Sequence, residues 1–396
     1  MKQHSIFVAS ENLIRPVMPE LDSLRGLAIL GVLFLHGFFW PYSGLHFKGW
    51  SRILLLATRP GWLGVNLFFV LSGFLITGIL LDSKNKPRYY SRFYTRRALR
   101  ILPAYYSLLI LLAILHQASA GFLGLSFIYL ANLTNLFGVP ADYGPLWSLA
   151  VEEHYYIAWP AVVRKLNTKN VAIASAAICV VVPVLRSVAF HYGYTAGLGW
   201  YTWFVADGLA LGSLLAVVLR SSLTRARVAR LCAVLFTLAL IFTGVGARFG
   251  ILTMQRTFGA TLQYSVVHVF FAAVLLLFLL LGSSPRKRCV NSATLQFFGY
   301  ISYGLYLIHL LVFRIYDKIL RYYWPQLLPA DGHFELVVIR FLVAGGAAVG
   351  LAYLSRRYFE EAFLRMKDRF TRDEAPTLAP DSAAAPALPQ LQDPGR

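Results

Sequence analysis

Leu21-Asp22-Ser23-Leu24-Arg25-Gly26-Leu27-Ala28 opens a run that stays apolar to His36 and stops near Trp40-Pro41. About 20 apolar residues cross the hydrocarbon core as a helix, so residues 21–42 read as a membrane span. Arg25 and His36 are eleven residues apart. At about 100° per residue that is nearly three turns, which puts both on one face, roughly 16 Å apart along the axis. Asp22, three residues before Arg25, shares the face. Ionisable groups inside a bilayer are costly and mark function by default. The plainer alternative has Arg25 snorkelling, Asp22 capping the helix and His36 serving as an interhelical hydrogen bond. Three such groups on one face weigh towards function.

The rest of the chain extends this reading. Only 14% of the 396 residues are charged, against about 25% in soluble proteins, and the mean hydropathy is +0.60. Ten spans are predicted, at 21–42, 61–82, 99–117, 144–164, 170–190, 199–219, 231–247, 262–281, 295–314 and 335–354. The fold class is therefore all-α, a polytopic membrane protein. The first run is too long for a signal peptide and carries charges inside it. The formal charge of +19 does not point to nucleic acid, because the basic residues sit in short loops between apolar runs. Cys179, Cys232 and Cys289 show neither a disulfide framework nor metal-ligand spacing, so no metal is expected.

Lysine and arginine set the predicted orientation. With the N-terminus cytoplasmic, the inside segments hold clusters such as Lys84 to Arg100, Arg220 to Arg230, Arg286 to Arg288 and Arg356 to Arg372. The outside segments hold scattered residues, among them Arg59, Arg186, Arg256 and Arg314. Both termini are thus predicted on the cytoplasmic side of a plasma membrane. Residues 121–138 are apolar, but spanning there would turn every later basic loop outward. An outer re-entrant or interfacial segment is predicted instead. The domain reading is a cytoplasmic segment 1–20, an integral membrane domain 21–365, and a cytoplasmic tail 366–396 whose Pro- and Ala-rich part is predicted disordered.

Three further constellations carry chemistry. In Arg96-Arg97-Ala98-Leu99-Arg100-Ile101-Leu102-Pro103, Arg97 and Arg100 share a helical face at the inner mouth of the third span, a place to hold phosphates. Positive-inside anchoring explains the earlier basic residues, and less well these two. In Leu146-Trp147-Ser148-Leu149-Ala150-Val151-Glu152-Glu153-His154-Tyr155-Tyr156, Ser148 and Glu152 are one turn apart. Glu152 is predicted at a depth comparable to His36, to orient it or to bind a sugar hydroxyl. The adjacent Glu153 counts against a purely structural pair. In Ser302-Tyr303-Gly304-Leu305-Tyr306-Leu307-Ile308-His309, Tyr303, Tyr306 and His309 suit an acceptor cavity, with an aromatic interfacial belt as the alternative.

Together these stretches, with Gly64-Val65-Asn66-Leu67-Phe68-Phe69-Val70-Leu71-Ser72-Gly73-Phe74-Leu75 and Ser355-Arg356-Arg357-Tyr358-Phe359-Glu360, make the chain resemble the acyltransferase-three family of bacterial membrane carbohydrate O-acyltransferases. The resemblance covers about residues 20 to 365. It implies transfer of an acyl group, acetyl above all, from cytosolic acetyl-CoA or another acyl-CoA to a glycan at the outer side. Candidate acceptors include lipopolysaccharide, exopolysaccharide, peptidoglycan and lipid-linked saccharides. It implies that Arg25 and His36 are essential, that Arg97 and Arg100 bind the donor, and that Ser148 and Glu152 belong to the site. Asp22, Glu153, Tyr303 and His309 are then supporting or acceptor-side residues. The chain departs from the family at Ser23, where Gly is common, and at Ala362, where Pro is frequent. It also lacks an Arg just before Asp207, so Asp207 is left out of the candidate site. Some members carry an extra periplasmic domain; this chain ends soon after its last span, so it is expected to act alone or with a separate periplasmic partner. The rival reading is a proton-coupled transporter or flippase, since buried Arg, His and Glu also build proton relays. Its usual mark is paired broken helices in repeated halves, and 121–138 has no counterpart.

Overall fold

A computed structural model describes residues 13–371. Among these residues there is no strand, and ten principal helices occupy the ten predicted segments. They are α1 (Pro19–Tyr42), α2 (Gly49–Ser83), α3 (Tyr89–Ile114), α4 (Leu146–Lys165), α5 (Thr168–His191), α6 (Asp207–Val218), α7 (Arg225–Arg248), α8 (Thr257–Gly282), α9 (Ala293–Tyr323) and α10 (Phe334–Met366). Eight are long and apolar enough to cross a membrane. The exceptions have visible causes. Helix α4 carries Glu152-Glu153-His154 through its middle. Helix α6 is short because its N-terminus is set by Asp207, which a buried arginine holds in place. The last helix continues to Thr371, and the Pro- and Ala-rich tail expected beyond it lies outside the described residues.

Residues 121–138 do not span. They form one short helix, Ala120–Phe127, and a 3-10 turn, Ala131–Phe137. Ser119 caps the helix and is itself held by Asp142 at 2.6 Å. The carbonyls at its far end would be orphaned in lipid. Tyr105 and Tyr106 of α3 donate to two of them, Ser126 O and Phe127 O, at 2.7 and 3.1 Å. Asn132 turns inward, 1% exposed, and donates to Thr202 and the Trp200 carbonyl.

Helix α1 begins with Pro19 in its first turn, where a missing N–H costs nothing, and with Glu20 and Asp22 facing the positive end of the helix dipole. It packs most extensively on α9. The approach is very close. A Cβ on Gly26 would lie 1.9 Å from the Leu295 carbonyl oxygen, and one on Gly299 would lie 2.0 Å from that of Asp22. Small residues let helix backbones meet where no water drives them together. This crossing sets the polar stripe of α1 beside the Tyr303–His309 stripe of α9.

Three π-helical turns interrupt the helices, at Leu35–Phe39, Phe341–Gly345 and Ser355–Glu360. Such turns recur at functional sites because they displace side chains from the regular helical register. The first carries His36. Arg340, only 3% exposed, donates to the Gly37 carbonyl at 3.2 Å and is gripped by Asp317 at 2.6 and 2.8 Å. The His36 turn is thereby tied to both α9 and α10.

Gly299→Val should therefore drive α1 and α9 apart and cost about 1–3 kcal/mol by overpacking. Thermal unfolding in detergent should show a clearly lower midpoint. Gly350→Val, at a position with open space within 4 Å, should leave it unchanged.

Candidate active site

A cavity of about 180 Å³ lies between α1, α2, α3, α4 and α9. Arg25, Arg97, Arg100, Ser148, Glu152, Tyr303 and Tyr306 all line it, seven of the eleven residues singled out from the sequence. They come from four helices far apart in the chain. Their shared end of the bundle follows from the α1–α9 crossing and from the one-turn spacing within α3 and α4.

Each cation is held differently. Arg25 donates to Asp22 at 2.7 Å. Asp22 is half exposed, so the pair is weakly held and the guanidinium keeps donors for a ligand. The Arg97 guanidinium lies 3.6 Å from the centre of the Tyr156 ring, a cation–π contact. Its Nε is buried with no acceptor. A buried N–H without a partner is rare and costly, and it fits a site for an anion. Arg100 is exposed on the cavity wall, and Arg25, Arg97 and Arg356 are near enough to act on its charge. Like charges gathered in a low-dielectric cleft focus a field that attracts polyanions.

Among the described residues Glu152 is the only carboxylate lining the cavity. It accepts from Tyr156 at 2.9 Å, and Tyr156 is in turn hydrogen-bonded to Ser72. The expected hydrogen bond between Glu152 and His36 is not formed, because each side chain is committed elsewhere. His36 Nδ1 lies 2.9 Å from Nε2 of His309, and the two rings stack at 5.1 Å between centroids. His36 does not line the cavity. The way towards it runs through Tyr306, whose hydroxyl is 2.6 Å from Ser148 Oγ and whose ring centre is 6.1 Å from that of His309. Tyr303 and Tyr306 thus line the same cavity as the arginines. Tyr303 donates to the Ile101 carbonyl at 2.8 Å, which joins α9 to the α3 arginine turn. Glu153 lies off the cavity, close to Tyr105 and Tyr129.

Several residues at the site were not singled out from the sequence. Tyr156 and Ser72 carry Glu152. Arg356 and Glu360, in the third π turn, reach the Arg100 neighbourhood, and Glu360 packs its Oε1 against Gly304 without a partner. Both lie in a stretch dense in charge, Arg356-Arg357-Tyr358-Phe359-Glu360-Glu361, where no single residue stands out. Away from the site, Arg186 is a correction. It was counted as an outer-loop cation, yet it is fully buried in α5. It donates to both oxygens of Asp207 at 3.3 and 2.9 Å, while Ser265 donates to the same carboxylate at 2.6 Å and His268 joins Asn66 at 2.9 Å. The guanidinium missing just before Asp207 is thus supplied from another helix. Among the described residues no group of His, Cys, Asp and Glu is gathered to hold a metal.

Comparison with known proteins agrees with this architecture. Residues 18–357 match the model of a family described as an acyltransferase domain, so the chain belongs to that family. It is 34% identical over 166 residues to the peptidoglycan O-acetyltransferase of Listeria monocytogenes, covering 37% of this chain and 24% of that protein. It is 32% identical over 201 residues to a Bacillus subtilis protein whose name proposes peptidoglycan O-acetylation, covering 44% of this chain and 29% of that one. The matches thus cover about a quarter of the length of these relatives. No solved structure matches.

Removing one partner from a buried ion pair strands the other charge, at a cost of about 3–5 kcal/mol. Arg186→Met should lower the unfolding midpoint sharply. Adding Asp207→Asn to it should recover part of the loss, as measured by thermal unfolding of the two purified variants.

Proposed function

We propose that the protein is a membrane O-acyltransferase that moves an acyl group, acetyl in the simplest case, from cytosolic acyl-CoA to a hydroxyl of a cell-envelope or exported glycan. The observation that carries this reading is the convergence of Arg25, Arg97 and Arg100 on one cavity whose wall leads through Tyr306 to the His309–His36 pair. Arginine forks suit phosphates, and CoA is rich in them. In this reading both termini are cytoplasmic and the arginine-lined end faces the cytosol. The donor's phosphates sit among Arg97, Arg100 and Arg25, and its thioester reaches past Ser148 and Tyr306.

Chemistry then falls to His36 as general base. The imidazole takes the proton of the glycan hydroxyl as its oxygen bonds to the acyl carbon. The carbon–sulfur bond breaks and CoA leaves as the thiolate. Glu152, tied to Tyr156, balances the arginines and shapes the cavity wall. Peptidoglycan is the first acceptor to test, because it is the acceptor named for the Listeria relative.

Mass spectrometry of envelope glycans tests the whole reading. A deletion strain should lose a base-labile acyl mass, the wild-type gene should restore it, and a folded His36→Ala protein should not. Full restoration by His36→Ala would sink the mechanism. Donor binding is separable. Arg97→Gln and Arg100→Gln should each weaken CoA binding by about tenfold or more, since a hydrogen bond to a charged group is worth about 1.5–3 kcal/mol. Titration calorimetry on the purified protein in lipid nanodiscs reads this directly.

A further inference from the structure

His309 sits on α9 about one turn beyond Tyr306, fully buried. Its Nδ1 is 2.9 Å from the Leu305 carbonyl oxygen, and its Nε2 is 2.9 Å from Nδ1 of His36. A carbonyl oxygen only accepts, so Nδ1 of His309 carries a hydrogen. Among the described residues no carboxylate is hydrogen-bonded to either ring. A buried imidazolium without a counter-charge is costly, which leaves His309 neutral with a lone pair on Nε2. The hydrogen in the contact between the rings then belongs to Nδ1 of His36. The nitrogen left with a free lone pair is Nε2 of His36, on a ring that is half-buried rather than sealed.

We infer that His309 is the positioning residue of the reaction: it locks His36 in the Nδ1–H tautomer and presents Nε2 as the base. The inference rests on His36 acting in acyl transfer. The chain of groups runs from the Leu305 carbonyl through His309 to His36, so a backbone atom of α9 fixes the protonation of a side chain on α1. One ring nitrogen's partner decides where the other's proton sits. In the reaction, Nε2 of His36 takes the proton of the acceptor hydroxyl while that oxygen bonds to the acyl carbon and the carbon–sulfur bond breaks. The imidazolium so formed donates from Nδ1 to His309, a charge-assisted bond stronger than the one in the resting state. Nε2 then gives its proton to the departing thiolate. His309 touches no reacting atom and changes no protonation state. The α1–α9 crossing at Gly26 and Gly299 ties together the two helices that carry the rings.

Two measurements on the full chain in lipid nanodiscs test this. With nitrogen-15 and carbon-13 histidine, the resonance lost in His36→Ala should carry the Nδ1–H signature in the wild type. It should move towards the Nε2–H signature in His309→Leu. In turnover assays with acetyl-CoA and a chitotetraose acceptor, His309→Leu should lower kcat about 100-fold with KM for acetyl-CoA unchanged. His309→Gln, whose amide oxygen accepts from Nδ1 of His36, should recover at least tenfold of the loss. A wild-type His36 in the Nε2–H form overturns the inference, as does an active wild type whose kcat survives His309→Leu. Should His309→Leu fail to fold, the wild-type tautomer and the kcat of His309→Gln still decide it. A well-folded wild type that transfers nothing to chitotetraose or to isolated envelope glycan overturns the acyl-transfer reading, whatever the tautomer.

Discussion

The close crossing of α1 and α9 is the constraint on which the rest depends. Gly26 lies against the Leu295 carbonyl and Gly299 against that of Asp22, leaving no room for a side chain on either glycine. Helices this close must present to each other whatever lies next along their faces. On α1 that is Arg25 and then His36. On α9 it is Ser302, Tyr303, Tyr306 and His309. The cavity wall and the histidine pair are successive levels of one interface.

The polar groups inside the bundle survive there because they are spent on one another. Buried polar atoms without partners are expensive in an apolar medium, so networks close or the fold fails. The Arg186–Asp207–His268–Asn66 cluster pairs nearly all of its polar atoms, with His268 Nδ1 3.4 Å from Asp207, and lies apart from the candidate cavity. The cavity is the contrast. Arg97, on its wall, leaves a buried donor unused. The unused Arg97 donor belongs to a residue lining the cavity where a charged ligand is proposed, and the Arg186 cluster helps hold the scaffold apart from it. The π turns show the same division. One carries His36 and one carries Arg356 and Glu360, while the turn at Phe341–Gly345 packs Phe341 against the glycine that follows His36.

Much of the fold was legible because a bilayer makes hydropathy decisive. All ten predicted segments are helical, and the broken segment at 121–138 was recognisable by its Asn and Gly content. Its anchoring by Tyr105 and Tyr106 was not, since nothing in a tyrosine's neighbours along the chain says which distant carbonyl it will meet. Arg186 was misread for a related reason. Near the end of an apolar run an arginine looks like an interfacial anchor, and only its contact with Asp207 shows that it points inward. Glu152 was expected beside His36 from matched depth, but depth fixes one coordinate and leaves rotation about the helix axis open.

Periodicity along single helices determined by itself that Arg25 and His36 share a face, that Arg97 and Arg100 share another, and that Ser148 and Glu152 stand one turn apart. These are local consequences of 3.6 residues per turn; Arg97 and Arg100 line the cavity together, as do Ser148 and Glu152, whereas the π turn carries His36 beyond the cavity that Arg25 lines. Which face meets which was decided only in three dimensions, because helix pairing depends on where glycines permit contact. So was the choice of partner for His36. Any of several buried polar side chains could have reached it by depth, and the π turn together with the α1–α9 crossing delivers His309.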